Sequence, residues 1–141
     1  MHSNIKLFDV FTSAILDKLY MSFPKCVEIV TEEEVRKLIE RLKEFDATSF
    51  TEKTVIFAET LFWLKSNGYI NFSYPTKRPE IPADISQFNC VELTKEGLRI
   101  LKSPSPKALR EDTSVGDEIA DKLKAGMLNE AGKIALHAIL F

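Results

Sequence analysis

Four side chains in this sequence could bind a metal ion or act as a nucleophile or base: Cys26, Cys90, His2 and His137. Zinc sites need cysteine and histidine at close spacing, and a catalytic thiol needs a neighbouring base. The two cysteines lie far apart and the histidines lie near the two ends, so neither pattern is present. We interpret both cysteines as small apolar packing residues in a reducing interior, and His137 as a partly buried structural histidine.

The residues needed for other kinds of catalysis are also absent from the sequence. The five glycines form no phosphate-binding loop, and no pair of carboxylates is spaced for acid–base work. We therefore expect a protein that is not an enzyme, needs no cofactor and acts on no small-molecule substrate.

Charge is distributed unevenly along the chain, although the formal net charge is only −2. Residues 71–110 contain seven basic and four acidic residues, whereas residues 111–141 contain three basic and six acidic ones. The acidic end disfavours an anionic membrane surface as partner. No apolar run approaches the ~20 residues of a membrane-spanning helix, and no secretory signal is visible, so the expected location is cytoplasmic.

The chain is long enough for one hydrophobic core. Apolar residues lie almost all round the segment 4–21, which predicts a helix that runs through the core or supplies a dimer face. Phe23-Pro24 ends this helix, and 26–30 reads as a short extended piece. Thr31 and Glu34 form a capping box that opens an amphipathic helix over 31–45.

A second set of local signals follows. Ser49 and Glu52 form another capping box before a helix over 52–66, and Asn67-Gly68 ends it. Segments 69–74 and 88–93 read as two strands joined by a long proline-containing loop. Thr94 caps a last helix through residue 101.

The tail, residues 112–141, has a helical apolar stripe interrupted by Gly116, Gly126 and Gly132. Each glycine costs about 1 kcal/mol relative to alanine inside a helix. We therefore expect the tail to need a partner surface in order to be helical.

Two phrases carry a resemblance to a known superfamily: AETLFWLKSNGYI at 58–70 and VELTKEGLRIL at 91–101. They resemble the third helix entering the wing, and the second wing strand entering a closing helix, in bacterial winged-helix regulators. The resemblance implies an α+β, mostly α fold: a winged-helix domain over residues 4–104, with helices and a two-stranded antiparallel wing. Residues 105–141 would then be a linker and an amphipathic helical tail.

Winged-helix regulators usually bind DNA with the third helix and the wing, so the resemblance implies DNA contacts at Lys53, Lys65, Lys77 and Arg78. However, the third helix contains only two basic residues, Lys53 and Lys65, and it also contains two acidic ones. Phosphate binding needs clustered positive charge. The charge composition of the third helix therefore favours a protein partner over DNA.

Phe62 and Trp63 leave two alternatives open. They pack under the first helix, or they form an exposed aromatic patch typical of protein interfaces. The predicted protein-interaction residues are these two together with four from the tail: Ile119, Leu123, Met127 and Ile134. The favoured function is a non-enzymatic module that binds a protein partner or self-associates. The alternative is a dimeric DNA-binding transcriptional regulator.

Overall fold

The computed structural model describes residues 3–45, 47–73, 86–105 and 113–141, without the side chains of residues 3 and 44. Within these ranges the fold is α+β and mostly helical, as predicted. The elements in chain order are α1 (Ser3–Ser22), β1 (Val27–Val30), α2 (Thr31–Leu38), α3 (Phe50–Ser66), β2 (Ile70–Ser73), β3 (Gln87–Leu93), α4 (Lys95–Lys102), α5 (Val115–Lys124) and α6 (Leu128–Leu140). The predicted loop between the two wing strands lies outside the described residues.

Side-chain caps fix where α3 and α4 begin. The Oγ atom of Ser49 accepts a hydrogen bond from the Glu52 N–H at 3.1 Å, and Oγ1 of Thr94 accepts one from the Gly97 N–H at 3.1 Å. Both caps were predicted and are confirmed. Gly68 follows α3 with a φ of 84°, the left-handed geometry that ends a helix without a Cβ clash.

The start of α2 differs from the prediction. Val30 is its N-cap and makes no side-chain capping bond. Thr31 instead donates its N–H to the Ser86 carbonyl at 2.9 Å, and its hydroxyl approaches the same oxygen at 3.5 Å. The capping-box prediction is therefore wrong, because Thr31 is hydrogen-bonded to the chain entering β3. The helix is also shorter than predicted, since two 3₁₀ turns, Ile39–Arg41 and Lys43–Phe45, follow it.

The sheet contains three antiparallel strands in the order β1–β3–β2. Val27 pairs with Val91, and Ile70 pairs with Leu93. The extended piece predicted at 26–30 is thus an outer strand beside the two predicted wing strands. Adding it makes the sheet three-stranded, where the sequence predicted two strands.

A disulfide joins Cys26 to Cys90, with the two Cα atoms 4.7 Å apart. The interpretation of these cysteines as packing thiols is therefore wrong. They are separated by 64 residues, and only the pairing of β1 with β3 brings them together. The bond ties the segment after α1 to the central strand of the sheet.

Helix α1 is the centre of the molecule. It packs against α3, α5, α6 and β3. Leu7 and Phe11 are fully buried, and Leu19 is also buried. The sequence expectation that this helix is buried on several sides is confirmed.

The tail forms two helices that pack on this same chain. Gly126, with a φ of 76°, separates α5 from α6. Gly132 lies against the Asp9 backbone so closely that a Cβ atom there would stand 3.0 Å from the Asp9 carbonyl carbon. Ile119 of α5 and Ala135 of α6 are fully buried in the common core. The surface that makes the tail helical is therefore α1.

We expect Gly97→Ala to lower the free energy of unfolding by about 1–3 kcal/mol, as overpacking commonly does. A Cβ atom at Gly97 would stand 2.2 Å from the Tyr69 carbonyl oxygen, which already accepts the Thr94 N–H. The strain should outweigh the higher helix propensity of alanine. Urea unfolding measures the change, with Lys102→Ala on the exposed side of α4 as control. Equal stability of both variants would contradict the close packing of α4 on β2.

Candidate interaction surface

The two basic residues of α3 are not presented as a DNA-reading pair. Lys53 is only 4% exposed. Lys65 is half-buried, and its Nζ donates to Oδ1 of Asn71 at 2.6 Å and to the Phe72 carbonyl at 3.2 Å. These bonds hold Lys65 against β2, so its charge stabilises the junction between α3 and the sheet.

Negative charge dominates the solvent side of α3. Glu52 and Glu59 are the exposed charged residues of this helix. A phosphate backbone is repelled by such a face, because DNA binding rests on neutralising phosphates with lysine and arginine. Lys77 and Arg78, the predicted wing contacts, lie outside the described residues.

Phe62 is buried, with 4% of its surface exposed. Its ring meets Phe72 at a centroid distance of 5.6 Å and Phe88 at 5.5 Å, both edge to face. The two partner rings also contact each other at 4.9 Å. This cluster attaches α3 to the sheet, so Phe62, predicted as an interaction residue, is mainly a core residue.

Trp63 points to the other side of α3 and is half-buried. Its ring meets Phe8 of α1 edge to face at 5.2 Å and stacks on Tyr69 at 6.4 Å. Of the two aromatic residues predicted for an interface, Trp63 is the one that reaches solvent. The neighbouring aromatic rings hold it in place from two sides.

An open groove of about 460 Å³ runs between α1 and α3 beside this tryptophan. Its lining is half apolar and half polar: Phe8, Ile56, Phe62 and Trp63 beside Asn4, Glu59, Thr60 and Ser66. The apolar half of this lining suits an apolar side chain of a macromolecular partner.

The end of α6 lies next to this groove. The Tyr69 hydroxyl donates to the Ile139 carbonyl at 2.7 Å, and the Tyr69 ring stacks on Trp63. Leu140, the next residue, is 53% exposed, and Ile5, between the groove residues of α1, is 60% exposed. We name the surface formed by Ile5, Phe8, Ile56, Trp63 and Leu140 the apolar face.

Part of the apolar face was predicted from the sequence. Trp63 was predicted as an interaction residue and α1 as a possible dimer face, whereas Leu140 was not predicted. The only signal in the sequence is the spacing of four between Leu136 and Leu140, which puts them on one side of a helix. The contact between Tyr69 and Ile139 spans 70 residues and has no sequence signature.

The four tail residues predicted for protein interaction do not form one surface. Ile119 is fully buried, and Leu123 and Ile134 are half-buried against the core. Met127, at the turn before α6, is 44% exposed. The apolar stripe of the tail is used mainly inside the molecule, because α1 covers it.

Among the described residues, the side chains that could bind a metal ion or act in catalysis are accounted for by other contacts. His137 is exposed and its ring contacts that of Phe141 at a centroid distance of 5.1 Å, so the prediction of a partly buried histidine is wrong. The side chain of Glu92 comes within 4.8 Å of the sulfurs of Cys26 and Cys90. Because the two sulfurs are bonded to each other, they do not offer thiolates to a metal ion.

Two aspartates of α1 are poorly solvated. Oδ1 of Asp9 and Oδ1 of Asp17 are buried with no hydrogen-bond partner among the described residues. Burial raises the pKa of both carboxyl groups, and the positive charge of Lys124 opposes this for Asp17. The charged forms are therefore disfavoured where α5 and α6 cover α1.

Comparisons with protein-family models, curated proteins and solved structures give no match to this chain. Within the described ranges, no helix has both the length and the apolar content needed to cross a membrane.

We expect Asp9→Asn to change how stability depends on pH. The pKa of Asp9 is raised above 3.8 in the folded state, so the folded chain holds this proton more tightly than the unfolded chain. Stability is then lost as pH rises from 3.8 through the raised pKa, and asparagine removes that loss. Urea unfolding between about pH 4 and about pH 7 measures it. Parallel profiles for the native chain and Asp9→Asn would rule out a burial effect at Asp9.

Proposed function

We propose that this chain is a non-enzymatic winged-helix module that self-associates as a homodimer through the apolar face. The observation that carries the proposal is Trp63, a half-buried tryptophan that lines an open groove between α3 and α1, the helix that carries the 60%-exposed Ile5. Tryptophans in such positions contribute much of the binding energy at protein interfaces.

The connectivity supports the winged-helix part of the proposal. Three helices and an outer strand precede the hairpin of β2 and β3, and the strand order is β1–β3–β2. Helix α4 follows the hairpin directly, as the phrase at 91–101 suggested. In this arrangement α3 is the helix that winged-helix regulators place in the DNA major groove.

The charges on α3 support a protein partner rather than DNA. Lys53 is buried and Lys65 is hydrogen-bonded to β2, whereas Glu52 and Glu59 face solvent. The helix therefore offers acidic and apolar groups where a DNA-reading helix offers cations. Protein interfaces favour aromatic and apolar anchors of this kind.

A second copy of the chain is the partner that the shape of the face favours. Ile5, one residue after the groove-lining Asn4, and Leu140, one residue after Ile139, are strongly exposed, so the surface around the partly apolar groove carries both projections and a recess. In a twofold dimer the same patch is used by both subunits, and each projection can enter the recess of the other copy. Two copies would bury the exposed aliphatic surface twice over.

Removing the projections should weaken the dimer. We expect Ile5→Ser/Leu140→Ser to raise the dimer dissociation constant at least about tenfold, because each buried aliphatic contact contributes roughly 1 kcal/mol or more. Sedimentation equilibrium over a range of concentrations measures this constant.

The matched control is Met21→Ser/Ile39→Ser. It removes the apolar side chains of Met21 and Ile39, which are 66% and 39% exposed and lie outside the apolar face. The control should leave the dissociation constant unchanged. A native chain that remains monomeric at all concentrations, or an equal effect of both double variants, would overturn the homodimer proposal.

DNA binding by a dimeric regulator is the alternative, and the charges on α3 make a definite prediction about it. We expect no binding of double-stranded DNA through α3 even at about 50 mM salt, where phosphate contacts are strong. Fluorescence anisotropy with labelled duplexes tests this, using the native chain, Lys65→Ala and Lys77→Ala/Arg78→Ala. Binding that falls steeply with salt and is lost in these variants would favour the regulator instead.

A further inference from the structure

A cleft of about 300 Å³ lies between α4, α5 and α6, separate from the groove of the apolar face. Ile100 and Val115 are buried at its floor, with 8% and 5% of their surfaces exposed. Arg99, Lys133 and His137 are exposed and form its rim. The cleft therefore combines an apolar floor with a rim of basic side chains.

No aspartate or glutamate side chain of the described residues lines this cleft. The acidic partners of the basic residues lie outside it: Arg99 binds Glu96, and Lys133 lies 3.6 Å from Glu130. These are exposed pairs one helical turn apart, and solvent screens such pairs strongly. They leave the cations available to a second anion.

Among the described residues, Arg99 keeps hydrogen-bond donors that no carboxylate accepts. Its bonds to Glu96 use Nε and Nη2, and a guanidinium has five N–H groups in all. Lys133 has three N–H donors, and its separation from Glu130 is longer than a hydrogen bond. The ring of Phe141, which contacts the His137 ring, adds an apolar wall beside these donors.

We propose that this cleft binds a small amphipathic monoanion, a carboxylate with a short aliphatic or aromatic body. The carboxylate would bind Arg99 and Lys133 at the rim, and the body would lie on Ile100 and Val115. A water-sized group occupies roughly 30 Å³, so a cleft of this volume accepts a ligand of about ten non-hydrogen atoms. Sites of this kind are usually apolar, with a few polar groups that fix orientation. The proposal is independent of the homodimer, because it uses a different surface.

Octanoate has the size and charge of the proposed ligand and serves as the probe. It is titrated into the native chain by isothermal calorimetry and two-dimensional amide NMR, beside the neutral octanol and the cationic octylammonium. We expect octanoate to bind about tenfold or more tightly than octanol, because its carboxylate gains charge-assisted hydrogen bonds. The amide shifts should be confined to α4, the start of α5 and α6.

Variants then test the basic rim. Arg99→Gln/Lys133→Gln should weaken octanoate binding about tenfold and leave octanol binding unchanged, because only the charge interaction is lost. Both residues are exposed, so unchanged amide shifts elsewhere verify that the variant is folded. Lys122→Gln/Lys124→Gln on α5 is the matched control, since it removes two cations that do not line the cleft.

Three outcomes would overturn the proposal. Octanoate and octanol binding equally well would show that charge plays no part. Shift changes located in the groove beside Trp63 would place the binding site elsewhere. The absence of any octanoate binding up to about 10 mM would exclude the site, because millimolar dissociation constants are measurable at that concentration.

Discussion

The burial of α1 on several sides is the constraint on which the rest of this structure depends. A helix with apolar residues almost all round can be stable in water only if several elements cover it. Helices α3, α5 and α6 and strand β3 do so together. This arrangement explains why the tail is part of the folded body, and why Gly132 is needed where α6 meets the Asp9 backbone. It also leaves Asp9 and Asp17 poorly solvated.

The aromatic residues divide α3 into two sides with different roles. Phe62 joins Phe72 and Phe88 in a cluster that fastens the helix to the sheet. The side chain of Trp63, one residue later, points about 100° further round the helix, where it contacts Phe8 and is partly exposed to solvent. Because the sheet takes one side and α1 takes another, little of α3 is left to read a nucleic acid. The remaining exposed strip is apolar and acidic, which is the physical basis for proposing a protein partner.

Helix α6 connects the two proposed binding surfaces. The Tyr69 hydroxyl donates to the Ile139 carbonyl and the Tyr69 ring stacks on Trp63, so the end of α6 lies near the groove. Residues on another side of the same helix, Lys133 and His137, line the cleft against α4. A ligand in the cleft and a second copy on the apolar face would therefore both contact this helix.

The sequence by itself determined the features that depend on neighbouring residues: the helix starts at Ser49 and Thr94, the stop at Gly68, and the apolar character of α1. These follow from local hydrogen bonds and backbone geometry. Tertiary structure alone decided the disulfide between Cys26 and Cys90, the pairing of β1 with β3 and the side on which Phe62 is buried. Each of these joins distant parts of the chain, and such contacts form only after loops close, so no local pattern encodes them.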